Sequence, residues 1–186
     1  MDVREAIEKR RAYRALAPVE ISDDIVRDLA ECAGLAASCF NNQPWRYVFV
    51  RDREVLEEMF ETLPDGNRWA RAASMIVAVL SRPDLDCQIM GRDYYQFDTG
   101  MGTAHMILRA TELGLVAHPI AGYSPKKVRG VLGIPDDMSV ITLVIFGKHT
   151  DEISDLLSDS QVETEAKRPA RKPFEKIAWL EKYGGK

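Results

Sequence analysis

Cysteine and histidine are scarce in this sequence, and their spacing argues against the sites that these residues often build. The 186 residues contain three cysteines and three histidines: Cys32, Cys39, Cys87, His105, His118 and His149. An odd number of cysteines without a C-x-x-C pair supports neither a disulfide framework nor a zinc site, so we expect free thiols. The histidines stand far apart and lack metal-ligand spacing. The sequence therefore predicts no metal centre.

Long apolar runs and an excess of positive charge are also absent. No run approaches the roughly 18 apolar residues that a membrane helix needs, and the charged residues 2–5 do not open a secretory signal. We therefore expect a cytoplasmic protein without a membrane partner. The net charge is −4, and most lysines and arginines are interleaved with acidic residues. This distribution argues against a nucleic-acid partner, because such binding needs basic patches that neutralise phosphates.

The composition that remains is typical of one globular domain. Hydrophobic residues make up 46% and charged residues 29% of the chain, whose length allows one well-buried core. We expect residues 1–150 to form the core and residues 151–186 to form a C-terminal extension of the same domain. The extension carries large apolar residues without a sustained pattern, so we expect it to bury them against another surface.

Local patterns predict five helices and three buried strands. Helix signals occur over 2–11, after Ser22, over 55–63, around 101–113 before Gly114, and from Ser124 to Gly133. Strand signals occur at Tyr47–Val50, Met75–Leu80 and Val140–Phe146. The alternation of strands with helices, taken alone, would suggest a parallel α/β sheet.

Three arginines, Arg10, Arg11 and Arg14, cluster at the end of the first predicted helix. The planar guanidinium binds phosphate through two parallel hydrogen bonds, so the cluster suits a phosphorylated ligand. The alternative is that these cations only complement the dipole at the C-terminal end of the helix.

The segment Ser38–Trp45 is dense in side-chain donors and acceptors and connects a helix to a buried strand. Such groups could bind the amide and carbonyl edges of a heteroaromatic ring. The alternative is an asparagine-rich turn in which Trp45 anchors the strand.

Together, these two motifs resemble those of the nitroreductase family of FMN-dependent enzymes. That family has an early Arg-Arg-Ser-x-Arg motif and a later loop of the form Pro-Ser-x-x-Asn-x-Gln-Pro-Trp, which match residues 10–14 and 37–45 here. The resemblance extends through Asp98, Pro119–Gly122 and a terminal Arg171. It implies an α+β fold with a mostly antiparallel sheet, in place of the parallel one, and an intertwined homodimer whose C-terminal arm crosses to the partner.

The resemblance also implies which residues bind the cofactor FMN. Arg10, Arg11 and Arg171 would hold the phosphate, and Arg14 would lie near the pyrimidine edge of the flavin. The other implied contacts are Ala12, Ala37, Ser38, Cys39, Asn41, Asn67, Pro119, Ile120, Ala121 and Gly122. Ala12 replaces the usual serine, which removes one hydroxyl contact. Cys39 is unusual in its loop, and a nucleophilic role is not favoured because no histidine lies near it in sequence.

The implied activity is hydride transfer from NADH or NADPH to a small acceptor such as a nitroaromatic, quinone or flavin, by ping-pong chemistry. No catalytic side chain is predicted, because the cofactor supplies the redox chemistry. Two alternatives stay open: another reaction on the same scaffold, such as dehalogenation, flavin fragmentation or enoate reduction, and a flavin-binding module without turnover. Residues 81–97 are expected to cover the flavin, where Tyr94 and Tyr95 could either line the pocket or pack into the core.

Overall fold

The computed structural model describes residues 1–185, which form six α-helices and seven β-strands. The helices are α1 Val3–Lys9, α2 Asp23–Gly34, α3 Arg53–Phe60, α4 Tyr95–Glu112, α5 Pro125–Leu132 and α6 Asp159–Ala166. The strands are β1 Leu16–Ala17, β2 Arg46–Val50, β3 Met75–Ser81, β4 Gln88–Ile89, β5 Arg92–Asp93, β6 Val116–Ile120 and β7 Ser139–His149. None of the described helices combines the length and the apolar content that crossing a membrane would require.

The helix starts follow from capping side chains that the sequence shows directly. Asp2 accepts a hydrogen bond from the backbone N–H of Glu5 at 2.8 Å, and Ser22 caps α2 in the same way. Ser124 caps α5, which ends at Gly133 in the left-handed conformation. The helix predicted over 2–11 is shorter than expected, because the backbone leaves the helical conformation at Arg10.

Every strand pairing in the described chain is antiparallel. The main sheet has the order β1-β7-β3-β2, and β6 also pairs with β7. The α+β expectation is confirmed, and the parallel sheet suggested by alternation alone is wrong. β6 was not predicted, because His118 and Pro119 interrupt its apolar pattern. A proline is tolerated there because β6 pairs on one side only.

The sheet has a hydrophobic core on each face, and the fully buried β3 contributes to both. On one face Ile76 and Ala78 lie in a cluster with residues of α3 and α5. On the other face Val77 lies in a cluster with residues of α2 and α4. Gly102 lets α4 approach α2 closely, since an added Cβ would lie 3.1 Å from the carbonyl oxygen of Ala33. The loops that follow α2 and β6 therefore begin at elements that pack into these cores.

The C-terminal extension returns to the start of the chain. Leu156 and Leu157 pack against the first core cluster, and the end of α6 contacts the residues that follow α1. Several large apolar side chains beyond it are exposed: Phe174, Ile177, Leu180 and Tyr183. The division at residue 150 and the crossing of the arm to a partner stay predictions.

Candidate functional site

All three predicted phosphate-binding residues line one cavity of about 160 Å³ between the end of α1 and the segment after α6. Its lining residues are Arg10, Arg11, Ala12, Arg14, Thr164, Arg168, Pro169 and Arg171. Two parts of the chain that are 150 residues or more apart therefore supply five arginines to one small volume. Such a concentration of guanidinium groups is suited to an anion.

Arg10 is the arginine of this cavity that lacks a partner. Its guanidinium makes no hydrogen bond or ion pair with any residue in the described part of the chain, although the residue is half-buried. Burial lowers the pKa of Arg10, and the positive charges of Arg168 and Arg171 lower it further. A half-buried cation among like charges is unfavourable, so this arrangement favours a bound anion.

The other arginines of the cavity are at least partly held by the protein. Arg11 donates to the carbonyl oxygens of Thr164 and Glu165, at 2.6 and 3.0 Å. Arg168 donates to the carbonyl oxygen of Arg10 at 2.7 Å. Arg11 and Arg168 therefore shape the cavity, while Arg10 is available to a ligand. Arg168 was not predicted as a site residue, and its only sequence signal is the basic, proline-broken run around it.

Trp69 connects the arginine cavity to the segment after β6. The guanidinium of Arg14 lies 5.8 Å from the centre of the Trp69 ring, and His118 stacks on this ring at 4.7 Å. The indole N–H donates to the side-chain oxygen of Asn67 at 3.2 Å. Asn67 in turn donates to the carbonyl oxygen of Gly122 at 2.8 Å. The sequence did not identify Trp69 or His118, because only the folded chain brings them together.

Residues 119–122, which the resemblance counts among the flavin contacts, are positioned by these contacts. Pro119 and Ile120 belong to β6, and Pro119 is exposed while Ile120 is buried. At Gly122 an added Cβ would lie 2.7 Å from the side-chain nitrogen of Asn67. A side chain at residue 122 would therefore displace the amide of Asn67 from this position. Asn67 contributes to this shape through its side-chain amide.

His118 should make the stability of the protein depend on pH. Burial lowers its pKa from 6.5 to about 4, so between these values the unfolded chain binds a proton that the folded chain does not. Stability is therefore lost as the pH falls, by about 2 kcal/mol between pH 7 and pH 5. An amide at this position can keep the hydrogen bond between His118 Nδ1 and the carbonyl oxygen of Tyr13. In urea unfolding at both pH values, the His118→Asn variant should lose less stability than the wild type. An equal loss would mean that His118 titrates normally.

The loop predicted to contact the flavin ring has an unusual backbone. Phe40, Asn41 and Gln43 have positive φ angles of 48°, 59° and 51°. Ser38 stabilises this conformation by accepting a hydrogen bond from the backbone N–H of Gln43 at 3.0 Å. Non-glycine residues in this region carry a conformational cost, which is often associated with binding sites. Ala37 and Asn41 are exposed in this loop.

The expectation of three free thiols is wrong for two of them. Cys39 forms a disulfide bond with Cys87, while Cys32 is free. The pairing was not visible in the sequence because 48 positions separate the two residues. Their sulfurs and a carboxylate oxygen of Asp86 lie within 4.8 Å of one another. The two sulfurs are bonded to each other, however, and the absence of a metal stays a prediction.

Asp98 also fixes the backbone of the loop that contains Ser38, Cys39 and Asn41. Its buried carboxylate accepts a hydrogen bond from the backbone N–H of Cys39 at 2.6 Å. Burial raises the pKa of Asp98, and the negative charge of Asp86 raises it further. No residue of this loop lines the arginine cavity. The predicted site residues therefore form three groups: those of the arginine cavity, residues 119–122 with Asn67, and residues 37–41 of this loop.

Comparisons with known proteins identify relatives over most of the chain. The profile of the Nitroreductase family matches residues 7–77 and 62–148. A protein of Archaeoglobus fulgidus, named provisionally as an NADH dehydrogenase/NAD(P)H nitroreductase, is 33% identical over 147 residues, covering 77% of this chain and 83% of its own. The NADH dehydrogenase of Thermus thermophilus is 24% identical and covers 82% of this chain and 89% of its own. A crystal structure of an oxidoreductase containing FMN superposes with a TM-score of 0.84 and 26% identity, covering 100% of this chain and 94% of the other.

Proposed function

The chain belongs to the nitroreductase family, and on this basis we propose that it is an FMN-dependent oxidoreductase that transfers hydride from NADH or NADPH to a small acceptor. The acceptor class we propose is a nitroaromatic, a quinone or a flavin. Relatives named NADH dehydrogenase or NAD(P)H nitroreductase support the nicotinamide donor. The similar structure of an oxidoreductase containing FMN supports the cofactor.

The observation that carries this proposal is the unpaired Arg10 guanidinium in the arginine cavity. A phosphate monoester is close to a dianion at neutral pH and offers three acceptor oxygens. Arg10 and Arg171 would hold these oxygens, while Arg11 and Arg168 keep the cavity in shape through their backbone contacts. Arg14 would lie at the pyrimidine edge of the ring. The missing hydroxyl at Ala12 leaves the charge of the cavity unchanged.

We propose that the two remaining groups of residues bind the ring. Bound FMN would supply the two-electron redox chemistry, and the protein would supply binding, orientation and charge. The backbone at Pro119–Gly122 would face the reactive edge, with Asn67 fixing its position through Gly122. Ala37, Ser38, Cys39 and Asn41 would reach the ring bound by the neighbouring subunit. No side-chain nucleophile is needed for this chemistry.

A homodimer would explain the apolar side chains that the described chain leaves exposed. Val3 and Ile7 on α1 are 71% and 53% exposed, and Leu35 after α2 is 82% exposed. A second copy of the chain would cover this face, and its C-terminal arm would bury residues such as Phe174 and Leu180. We further propose that the dimer is needed to complete each cofactor site.

Anaerobic titration tests the proposed function. The protein loaded with FMN should lose its visible flavin absorbance on addition of NADH or NADPH and should regain it when a quinone or nitroaromatic is added. Dithionite serves as the control, because it reduces an accessible flavin without nicotinamide recognition. Reduction by dithionite but by neither nicotinamide would contradict the oxidoreductase proposal and favour a binding module. Failure to bind FMN at all would contradict both.

Replacing Arg14 with Met should lower the two-electron potential of the bound flavin. The reduced ring carries negative charge near N1 and O2, which a nearby guanidinium stabilises. Loss of one charge-assisted hydrogen bond corresponds to roughly 30–60 mV. The potential is measured by equilibration with a reference dye, and Arg14→Lys, which keeps the charge, should shift it less. An unchanged potential in Arg14→Met would place this residue away from the flavin.

A further inference from the structure

The disulfide between Cys39 and Cys87 joins two segments that the sequence places far apart. Cys39 lies in the loop between α2 and β2, and Cys87 immediately precedes the hairpin formed by β4 and β5. We propose that this pair is a reversible thiol–disulfide exchange site for dithiol reductants. In its oxidised form the bond fastens the β4–β5 hairpin to the loop, and in its reduced form it releases the hairpin. The proposal goes beyond the proposed function and does not require bound flavin.

The hairpin has few other attachments to the protein. Within the described chain, residues 88–93 make side-chain hydrogen bonds only among themselves, such as the one from Gln88 to Asp93. The preceding Asp86 and Cys87 accept hydrogen bonds from Asn42 at 3.3 Å, and Asp86 also interacts with the side chain of Asp98. Met90 at the tip is 92% exposed. Opening the disulfide would therefore remove the covalent link between the hairpin and the loop that contains Cys39 and leave the hairpin weakly held.

The pair is accessible to a small reductant. Cys39 is partly exposed, whereas Cys87 is more deeply buried. Exposed disulfides are the ones that exchange most readily with external thiols. Access to at least one sulfur is what the first step of exchange requires.

The surroundings of the pair favour one direction of attack. Asn42 donates a hydrogen bond to Cys87 Sγ, and a donor of this kind stabilises the sulfur that leaves as a thiolate. An external thiolate would attack Cys39 Sγ, forming a mixed disulfide while the bond to Cys87 breaks, and Cys87 would then take up a proton. The second thiol of the reductant displaces Cys39, which is also protonated. Two electrons and two protons reach the protein, and the dithiol becomes a disulfide.

Thiol counting tests the exchange itself. The full-length protein is equilibrated in native buffer with oxidised or reduced dithiothreitol, quenched with acid, and labelled with a maleimide under denaturing conditions. Because the chain has three cysteines, one label per chain is expected after oxidation and three after reduction. The change should be reversible. Three labels after oxidation, or one label after reduction in native buffer, would overturn the proposal.

Variants separate this pair from the third cysteine. Cys32→Ser should lose one label in both states and should show the same transition, because Cys32 is the free cysteine. Cys87→Ser should show no transition. Asn42→Asp, which removes the donor and adds a negative charge, should be reduced several-fold more slowly than the wild type. A rate in Asn42→Asp equal to that of the wild type would overturn the assigned direction of attack.

Hydrogen exchange tests the release of the hairpin. In the wild type, backbone amides of residues 88–93 should exchange several-fold faster after reduction, while amides of β3 should not change. Cys32→Ser should behave like the wild type, and Cys87→Ser should exchange rapidly with or without reductant. If residues 88–93 exchange equally in both states of the wild type, the disulfide does not fasten the hairpin and that part of the proposal is wrong.

Discussion

Replacing Arg10 with Ala is expected to weaken FMN binding by roughly 10- to 150-fold, which corresponds to one lost hydrogen bond to a charged group. Riboflavin binding should change little, because riboflavin has no phosphate. The expectation follows from the cavity, where Arg10 has no partner among the described residues and is surrounded by other arginines. The affinities are measured by titrating the apoprotein with each flavin and following the quenching of flavin fluorescence.

A matched control separates the phosphate contact from the change of net charge. Arg4→Ala removes the same charge from α1, which Arg10 directly follows, but Arg4 is exposed and paired with Glu8, outside the cavity. This variant should bind both flavins like the wild type. Arg171→Ala should behave like Arg10→Ala, because Arg171 lines the same cavity. Equal losses of FMN and riboflavin affinity in Arg10→Ala would mean that Arg10 has a structural role.

Mixing two inactive variants is expected to restore flavin binding if each site is shared between subunits. Arg10→Glu damages the phosphate end, and Asn41→Glu damages the ring end with a charge. Asn41 does not line the cavity that contains Arg10. In a mixed dimer one site would collect both lesions and the other would collect none. With random pairing about half of the dimers are mixed, so about a quarter of the wild-type sites should return.

The mixture is prepared by unfolding and refolding the two variants together, and each variant refolded alone is the control. Bound FMN and the rate of NADH or NADPH oxidation are measured before and after mixing. Sedimentation and mass spectrometry establish that mixed dimers have formed. Mixed dimers without recovered flavin binding would show that Arg10 and Asn41 do not belong to different subunits of one site.

The parts of the fold that the sequence predicted are those that local chemistry determines. The caps at Asp2, Ser22 and Ser124 form hydrogen bonds within three residues, so their positions can be recognised from the sequence alone. The three continuous apolar runs correspond to strands, but only β3 is buried throughout. The expectation that Tyr47–Val50 is a buried central strand is wrong, because β2 lies at the edge of the sheet and only Val50 is buried. The direction of pairing could not be predicted in this way, because an antiparallel and a parallel strand buried on both faces have the same apolar pattern. The family resemblance supplied the antiparallel sheet.

The parts of the site that the sequence did not predict depend on contacts between distant segments. Arg168 reaches the cavity only because the chain after α6 returns to the end of α1. Trp69, which precedes β3, stacks on His118 of β6. The disulfide between Cys39 and Cys87 also joins two segments that are distant in the sequence. The residues that the resemblance did name, such as Arg10 and Gly122, lie in short motifs whose order can be compared directly.

Phosphorus NMR of bound FMN tests most directly whether the arginine cavity holds the phosphate. A free phosphate monoester takes up a proton near pH 6, and its ³¹P shift moves between pH 5 and pH 8. Surrounded by the guanidinium groups of Arg10 and Arg171, the bound phosphate should stay a dianion over this range, because positive charges favour the deprotonated form. We therefore expect a ³¹P shift of the bound cofactor that does not change with pH. A shift that follows the titration of free FMN would contradict the assignment of the arginine cavity as the phosphate site.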